Sequence, residues 1–292
     1  MIEGSIVAIV TPFKNGGIDE KTLSSLIEFQ IECGTHGIVP CGTTGESPTL
    51  SHDEHKRVIE ITVEAAAGRI PVIAGTGSNS TEEALNLTKF AKKAGADAAL
   101  LVVPYYNKPT QEGLYQHFRT IAMGCDLPLI LYNIPGRSGV NMAPETVARL
   151  AKEFKNIVGI KEASGSVQQA SKILSLTGDD FILLSGEDAL NFPILAIGGK
   201  GYISVTANIA PRELAELYNS FLRGDISTSR NLHYKLHDLN EAMFIETNPI
   251  PVKTALFLLG KIENEFRLPL CPMSKAGTDK LKEVLTSYGF LK

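Results

Sequence analysis

Only four cysteines occur in the 292 residues, Cys33, Cys41, Cys125 and Cys271, and no two of them stand at CxxC spacing. That excludes the common zinc and redox motifs and leaves reduced core or surface thiols. Long apolar runs are missing too, and nothing approaches the length of a membrane-spanning helix. The first apolar run, Ile6 to Val10, lacks a basic segment before it, is too short for a signal sequence and is cut by Thr11-Pro12. No Lys/Arg cluster marks a nucleic-acid or membrane surface, and a net charge of -4 is ordinary for a soluble protein. The expectation is a cytoplasmic protein with neither a nucleic-acid nor a membrane partner.

What the chain does contain is rhythm. Eight short apolar runs recur, Ser5–Val10, Gly37–Cys41, Pro71–Gly75, Ala98–Pro104, Pro128–Tyr132, Ile157–Lys161, Phe181–Ser185 and Gly201–Val205. Most are rich in Val, Ile and Leu without strict alternation, as expected of strands covered on both faces. Amphipathic stretches separate them: Leu23–Glu32, Glu54–Ala67, Glu82–Ala94, Leu114–Ala122, Glu145–Phe154 and Val167–Leu176. Ser51-His52-Asp53-Glu54 and Ser80-Thr81-Glu82-Glu83 both fit a capping box. Pro144 suits a first helical position, and Gly34, Gly68 and Gly95 fall where helices should stop.

Alternating β/α units in this number predict a (β/α)8 barrel of the TIM type, an α/β fold, over residues 1–224. An open doubly wound sheet would normally carry fewer units and a glycine-rich nucleotide loop. The nearest candidate, Gly75-Thr76-Gly77-Ser78-Asn79-Ser80, lacks the third glycine. From Pro211 the strand rhythm stops, and Arg212–Leu222, Ile226–Met243, Ile250–Leu259 and Lys275–Ser287 read as helices. Residues 225–292 are therefore expected to form a C-terminal helical extension, while the first two of these helices in part complete the barrel.

Chemistry in such a barrel sits at the C-terminal ends of the strands. Those ends carry Thr11, Thr43-Thr44-Gly45-Glu46, Thr76, Tyr105-Tyr106-Asn107, Tyr132-Asn133, Lys161-Glu162, Ser185-Gly186-Glu187-Asp188, Thr206 and Asn208. A metal-type His/carboxylate triad is missing, so the set suits carbonyl chemistry on a small oxyacid better than metal-assisted hydrolysis. Lys161 ends a run that should be buried. Burial disfavours an ammonium, and an amine held neutral can attack a carbonyl to form a Schiff base. The competing reading is a lysine that snorkels to solvent or to a carboxylate. Strand alternation puts Ile157, Gly159, Lys161 and Ala163 on one face, with Gly159 leaving room below the lysine. Tyr132 ends the preceding strand, where a phenol beside an imine-forming lysine can relay protons.

In Gly42-Thr43-Thr44-Gly45-Glu46, two glycines flank two hydroxyl residues at a strand-to-loop transition. Such a loop is either a plain tight turn or a set of backbone N–H groups open to a carboxylate. Arg137, in Pro135-Gly136-Arg137-Ser138-Gly139, has the planar fork that grips a carboxylate bidentately, although most loop arginines are simply solvated.

Two long motifs in order carry a resemblance. Gly37-Ile38-Val39-Pro40-Cys41-Gly42-Thr43-Thr44-Gly45-Glu46 is one. The other is Tyr132-Asn133-Ile134-Pro135 followed by Gly159-Ile160-Lys161-Glu162. They resemble the signatures of the dihydrodipicolinate synthase/N-acetylneuraminate lyase family, and the likeness spans nearly the whole chain. Three features resemble its synthase branch: Thr43-Thr44 where sialate lyases usually have Ser-Thr, the tyrosine pair in Pro104-Tyr105-Tyr106-Asn107, and Arg137, which sialate lyases typically lack.

The resemblance implies that Lys161 forms an imine with pyruvate, whose carboxylate the Thr43/Thr44 loop binds. Tyr132 would shuttle protons with help from Thr43 and from Tyr106 of an adjacent subunit. The main-chain carbonyl of Ile203 would lie near the lysine. Arg137 would hold L-aspartate 4-semialdehyde, and neither metal nor cofactor would be needed. The same likeness implies a homotetramer built as a dimer of dimers. It also implies feedback inhibition by L-lysine at a subunit interface, through Ser47, His52, His55, Asn79, Glu83 and Tyr105. Those six also have plain readings: one sets His52 and His55 in an exposed first helical turn, without the further ligands a zinc site needs, and has Glu83 completing its capping box. Two other functions stay open: a sibling pyruvate lyase acting on sugar acids, and a silent paralogue that senses a keto acid.

Overall fold

A computed structural model describes residues 2–292. Eight parallel strands form its centre: β1 (Gly4–Ala8), β2 (Gly37–Val39), β3 (Ile73–Gly75), β4 (Ala98–Val102), β5 (Leu129–Asn133), β6 (Ile157–Glu162), β7 (Ile182–Ser185) and β8 (Gly201–Ser204). They are hydrogen-bonded in the order β2-β1-β8-β7-β6-β5-β4-β3. The seam between β2 and β3 is spanned by a bridge pairing Ile38 with Val72. The Ile38 and Gly75 N–H groups also donate across it, to the carbonyls of Pro71 (3.0 Å) and Pro40 (2.9 Å). The sheet is thus a nearly closed barrel, as the rhythm of the sequence predicts.

Both faces of the strands are buried, which is why the runs read as continuous rather than alternating. Val7, Ile38, Leu101, Leu131, Ile160 and Leu183 pack with helix residues such as Leu23, Ile59 and Phe118. Ile6, Ala8, Leu100, Ile130, Leu184 and Ile203 fill the barrel interior. Each such branched side chain contributes about 1.5–3 kcal/mol by leaving water.

The helices that follow the strands in turn are α1 (Glu20–Glu32), α2 (His52–Ala66), α3 (Thr81–Ala94), α4 (Gln111–Gly124), α5 (Pro144–Glu153), α6 (Val167–Thr177), α7 (Asn191–Ala196) and α8 (Pro211–Leu222). The short, proline-containing α7 escapes the periodicity search because it has under two turns. A two-residue hairpin, Phe13–Lys14 with Gly17–Ile18, is likewise too short to read. Ser51 and Glu54 form the expected capping box on α2. On α3 the box is only half made. Ser80 caps the Glu83 N–H, but the Ser80 N–H donates to Ser78 Oγ (3.0 Å) and the Glu83 side chain turns away.

One expectation about β6 needs correction. Leu129 pairs with Ile157 but Ile130 pairs with Gly159, so Val158 is an extra residue in the ladder. This bulge resets the phase. Ile157 packs outward with the helices and Val158 packs on the interior cluster; beyond the bulge Gly159, Lys161 and Ala163 take the inner face while Ile160 packs outward. Nor does Gly159 make room for the lysine. A Cβ there would collide with Ile182 of β7, so its role is close strand approach.

The predicted helix over 226–243 is two, α9 (Ile226–Lys235) and α10 (His237–Ala242), parted at Leu236. They are followed by α11 (Ile250–Leu258) and α12 (Lys275–Ser287). Among the described residues no helix is long and apolar enough to cross a membrane. Residues from Phe244 to Arg267 fold back over the barrel mouth and reach the site described next.

Candidate active site

A cavity of about 190 Å³ opens where the strands end, lined by Thr43, Thr44, Tyr132, Arg137, Lys161 and Glu187 among others. Lys161 and Tyr132 face each other across the β5–β6 ladder as direct register partners. Both are buried, at 6% and 5% exposure, and Lys161 Nζ lies 4.2 Å from the centre of the Tyr132 ring. Gly186, on the loop after β7, leaves the space that the lysine occupies; a Cβ there would lie 3.1 Å from Lys161 Cε.

The molecule contains a second buried lysine, and the contrast is informative. Lys253, 1% exposed, is ion-paired with Glu46 and donates to the Glu265 carbonyl at 2.8 Å. Burial pulls its pKa down while Glu46 opposes the shift. Lys161 has no such partner: among the described residues no carboxylate lies within ion-pair distance of its Nζ. Its neighbouring acid, Glu162, is turned away and accepts from Asn133 Nδ2 (3.1 Å), Gln169 Nε2 (3.1 Å) and the Ser164 N–H (2.7 Å). A buried, unpaired amine at a cavity wall has the makings of a carbonyl nucleophile.

The Thr43-Thr44 loop is a tight turn whose Gly45 and Glu46 N–H groups bond back to the carbonyls of Gly42 and Thr43, both at 3.1 Å. Thr11 Oγ1 donates to the Gly45 carbonyl (2.7 Å), and Asn248 Nδ2 donates to Thr44 Oγ1 (3.1 Å). Arg137 sits on a one-turn helix, Pro135–Ser138, and donates to the Asn248 carbonyl at 3.1 Å. Its charge and that of Lys161 both act on Glu187, although burial is the stronger influence and raises the Glu187 pKa.

Three other strand-end polar residues hold the fold together. Thr76 bonds Thr88, Asn208 spans to the Ala8 carbonyl, and Asp188 accepts from the Val205 and Thr206 N–H groups. Ile203 belongs to the interior cluster with Tyr132 and Leu184 and is not on the cavity lining. Tyr106 does not enter this chain's cavity. It is 89% exposed, with a left-handed φ of 69°.

The lining also includes Glu187, Phe244 and Asn248, to which the sequence assigns no role. Glu187 stood among the strand-end residues without an assigned role. Phe244 and Asn248 follow α10, far from any strand, and no local pattern points them at the barrel mouth.

A second cavity of about 160 Å³ gathers Ser47, His52, His55, Glu83 and Tyr105, five of the six residues expected to hold lysine. The sixth, Asn79, is at its margin, where its Nδ2 donates to the Tyr105 carbonyl at 3.3 Å. Glu83, released from its capping box, lies 2.8 Å from His52 Nε2 and accepts from Ser78 Oγ. His55 donates from Nε2 to the Gly75 carbonyl (2.7 Å), and burial keeps its pKa below the usual histidine value. The two cavities share the loop from Gly42 to Leu50 as a common wall.

Known proteins match the chain over nearly its whole length. A model of the Dihydrodipicolinate synthetase family covers residues 1–288. The 4-hydroxy-tetrahydrodipicolinate synthase of Thermodesulfovibrio yellowstonii is 64% identical over 292 residues, 100% of both chains. A chloride-inhibited dihydrodipicolinate synthase from Acinetobacter baumannii, solved with pyruvate, is 49% identical, superimposes with a TM-score of 0.97 and is covered over 100% of each chain. The lysine-bound enzyme from Cyanidioschyzon merolae is 43% identical, with a TM-score of 0.96 over 99% of each chain. On that similarity and on the fold, the chain belongs to the dihydrodipicolinate synthetase family.

Proposed function

We propose that this chain condenses pyruvate with L-aspartate 4-semialdehyde to 4-hydroxy-tetrahydrodipicolinate, in the diaminopimelate route to lysine, through a Schiff base on Lys161. The observation that carries this reading is the buried, unpaired Lys161 amine against Tyr132 in a cavity that also holds the Thr43/Thr44 loop and Arg137. The names of the relatives, and the pyruvate held by one of them, support the choice of substrate.

The amine of Lys161 adds to the pyruvate carbonyl, and loss of water gives the imine. A proton leaves the pyruvate methyl group to form the enamine, whose carbon attacks the aldehyde. The amino group of the second substrate then closes on the imine carbon and releases Lys161. Tyr132 moves the protons of the first steps, with Thr43 and the Tyr106 of a second subunit extending the relay. Thr44 and the loop amides hold the pyruvate carboxylate, the Ile203 carbonyl orients the reacting group, and Arg137 takes the carboxylate of the aldehyde. The protein supplies the nucleophile, so this mechanism uses neither metal nor cofactor.

The second cavity is the proposed site of feedback inhibition by L-lysine. His52, His55, Glu83, Ser47, Asn79 and Tyr105 offer acceptors for its ammonium groups and donors for its carboxylate. The proposed assembly is a homotetramer in the cytoplasm.

Turnover of pyruvate with aspartate semialdehyde, coupled to a reductase, tests the reading, with Lys161→Ala as the blank. Activity that disappears in the variant supports both substrate pair and nucleophile. Full activity in Lys161→Ala would overturn the mechanism. Borohydride trapping of pyruvate without condensation would shift the assignment to a sibling lyase.

A further inference from the structure

The loop proposed to hold the pyruvate carboxylate is pinned from behind by the C-terminal part of the chain. Glu46, its last residue, has a left-handed backbone (φ 53°, ψ 36°), unusual for a side chain with a Cβ. Its carboxylate points away from the reaction cavity and is completely buried, where it pairs with Lys253 of α11. Its other oxygen accepts from the Arg267 N–H at 3.3 Å. Lys253 Nζ is further enclosed by the rings of Phe13 and Phe266, at 4.3 and 4.9 Å to their centres. Five residues earlier, Asn248 bonds Thr44. One C-terminal segment therefore grips the loop at both Thr44 and Glu46.

A buried ion pair is a poor means of stabilising a fold, because desolvating two charges offsets most of their attraction. What such a pair does well is select one arrangement, since every other register strands a charge. We infer that Lys253 and Glu46 form a positioning pair that holds Thr43 and Thr44 at the angle needed for carboxylate binding. Neither residue touches substrate; Glu46 acts through the loop and Lys253 acts through Glu46. The effect on pyruvate rests on reading the cavity as a pyruvate site, whereas the effect on the loop does not.

The test compares the intact wild-type enzyme with Glu46→Gln, Lys253→Met and the neutral double variant Glu46→Gln/Lys253→Met. The double variant strands no charge if Lys253→Met alone fails to fold. Two readouts are taken: pyruvate dependence of turnover and of borohydride trapping, and amide exchange at Gly45, Glu46 and Ser47. The expected result is a pyruvate KM and half-trapping concentration raised ~10-fold or more, a smaller change in kcat, and exchange at those amides ~10-fold faster. The double variant should lose no more than the worse single variant, and less than the sum of the two, because the pair acts as one unit. A folded double variant with wild-type pyruvate KM and wild-type loop exchange would overturn the proposal, as would a loss confined to melting temperature. If the wild type traps no pyruvate, the functional reading fails, and the exchange result alone decides whether the pair positions the loop.

Discussion

Gly186 and Lys161 are built against each other: a methyl group on Gly186 would lie 3.1 Å from Lys161 Cε and 2.5 Å from Ala163 Cβ. The lysine owes its place to what the glycine lacks. Gly186→Ala should therefore leave the barrel folded, at a cost of about 1–3 kcal/mol. It should lower kcat by ~10²-fold, the penalty typical of displacing a reacting group by about 1 Å. Single-turnover borohydride trapping measures the imine-forming step directly. Unchanged trapping kinetics would mean that the lysine accommodates the methyl without moving.

Arg137 separates the two proposed substrates. Arg137→Leu should raise the KM for the aldehyde tens-fold, from a lost charge-assisted bond worth about 1.5–3 kcal/mol. The KM for pyruvate should move far less. Initial rates with each substrate varied in turn decide this. Equal effects on both would point instead to the Arg137 bond with the Asn248 carbonyl, and hence to general loosening of the cavity wall.

Glu83 tests the second cavity. It bridges His52 and Ser78 and would be the carboxylate available to a ligand ammonium there. Glu83→Gln should weaken inhibition by lysine at least ~10-fold, by loss of a charge-assisted bond. Inhibition curves at fixed substrate give the answer, and an unaltered curve would move lysine elsewhere.

Acid stability reports on Arg267. Its paired bonds to Glu54, 2.5 and 2.6 Å, hold that carboxyl down at about 2 against an ordinary 4.5. A depressed carboxyl stabilises the fold above its unfolded pKa, and that stability disappears as pH falls toward the folded value. Wild type should therefore exceed Glu54→Gln by on the order of 1–2 kcal/mol at neutral pH, after allowing for screening at a partly exposed pair. The gap should hold down to about pH 4.5 and close between there and about pH 2. Urea unfolding across that range measures it. A gap independent of pH would assign the difference to packing.

The barrel was legible because eight buried runs and capped helices repeat, and Lys161 because a charge at the end of such a run is conspicuous. Tyr132 followed from sequential strand order, which the register confirms. The bulge at Val158 was not legible: an extra residue in the apolar stretch Ile157–Ile160 leaves no polar residue on the wrong face to betray it. The same blindness misplaced the role of Gly159, whose purpose is set by a strand that is distant in sequence. Asn248 and Phe244 could not be found either, since nothing local in a loop between helices says which cavity it will cover. The diversion of Glu83 was hidden because a half-made cap and a full one share one motif.

The fold-back of Asn248 and Lys253 onto the Thr44–Glu46 loop also has a consequence for biosynthesis. A ribosome makes all eight strands before it makes either residue. A nascent chain therefore carries every strand of the barrel while the Thr44–Glu46 loop is still unbraced. The loop should gain its brace late, only after Asn248 and Lys253 have left the ribosome, so its final arrangement is set by the end of the chain rather than by the barrel.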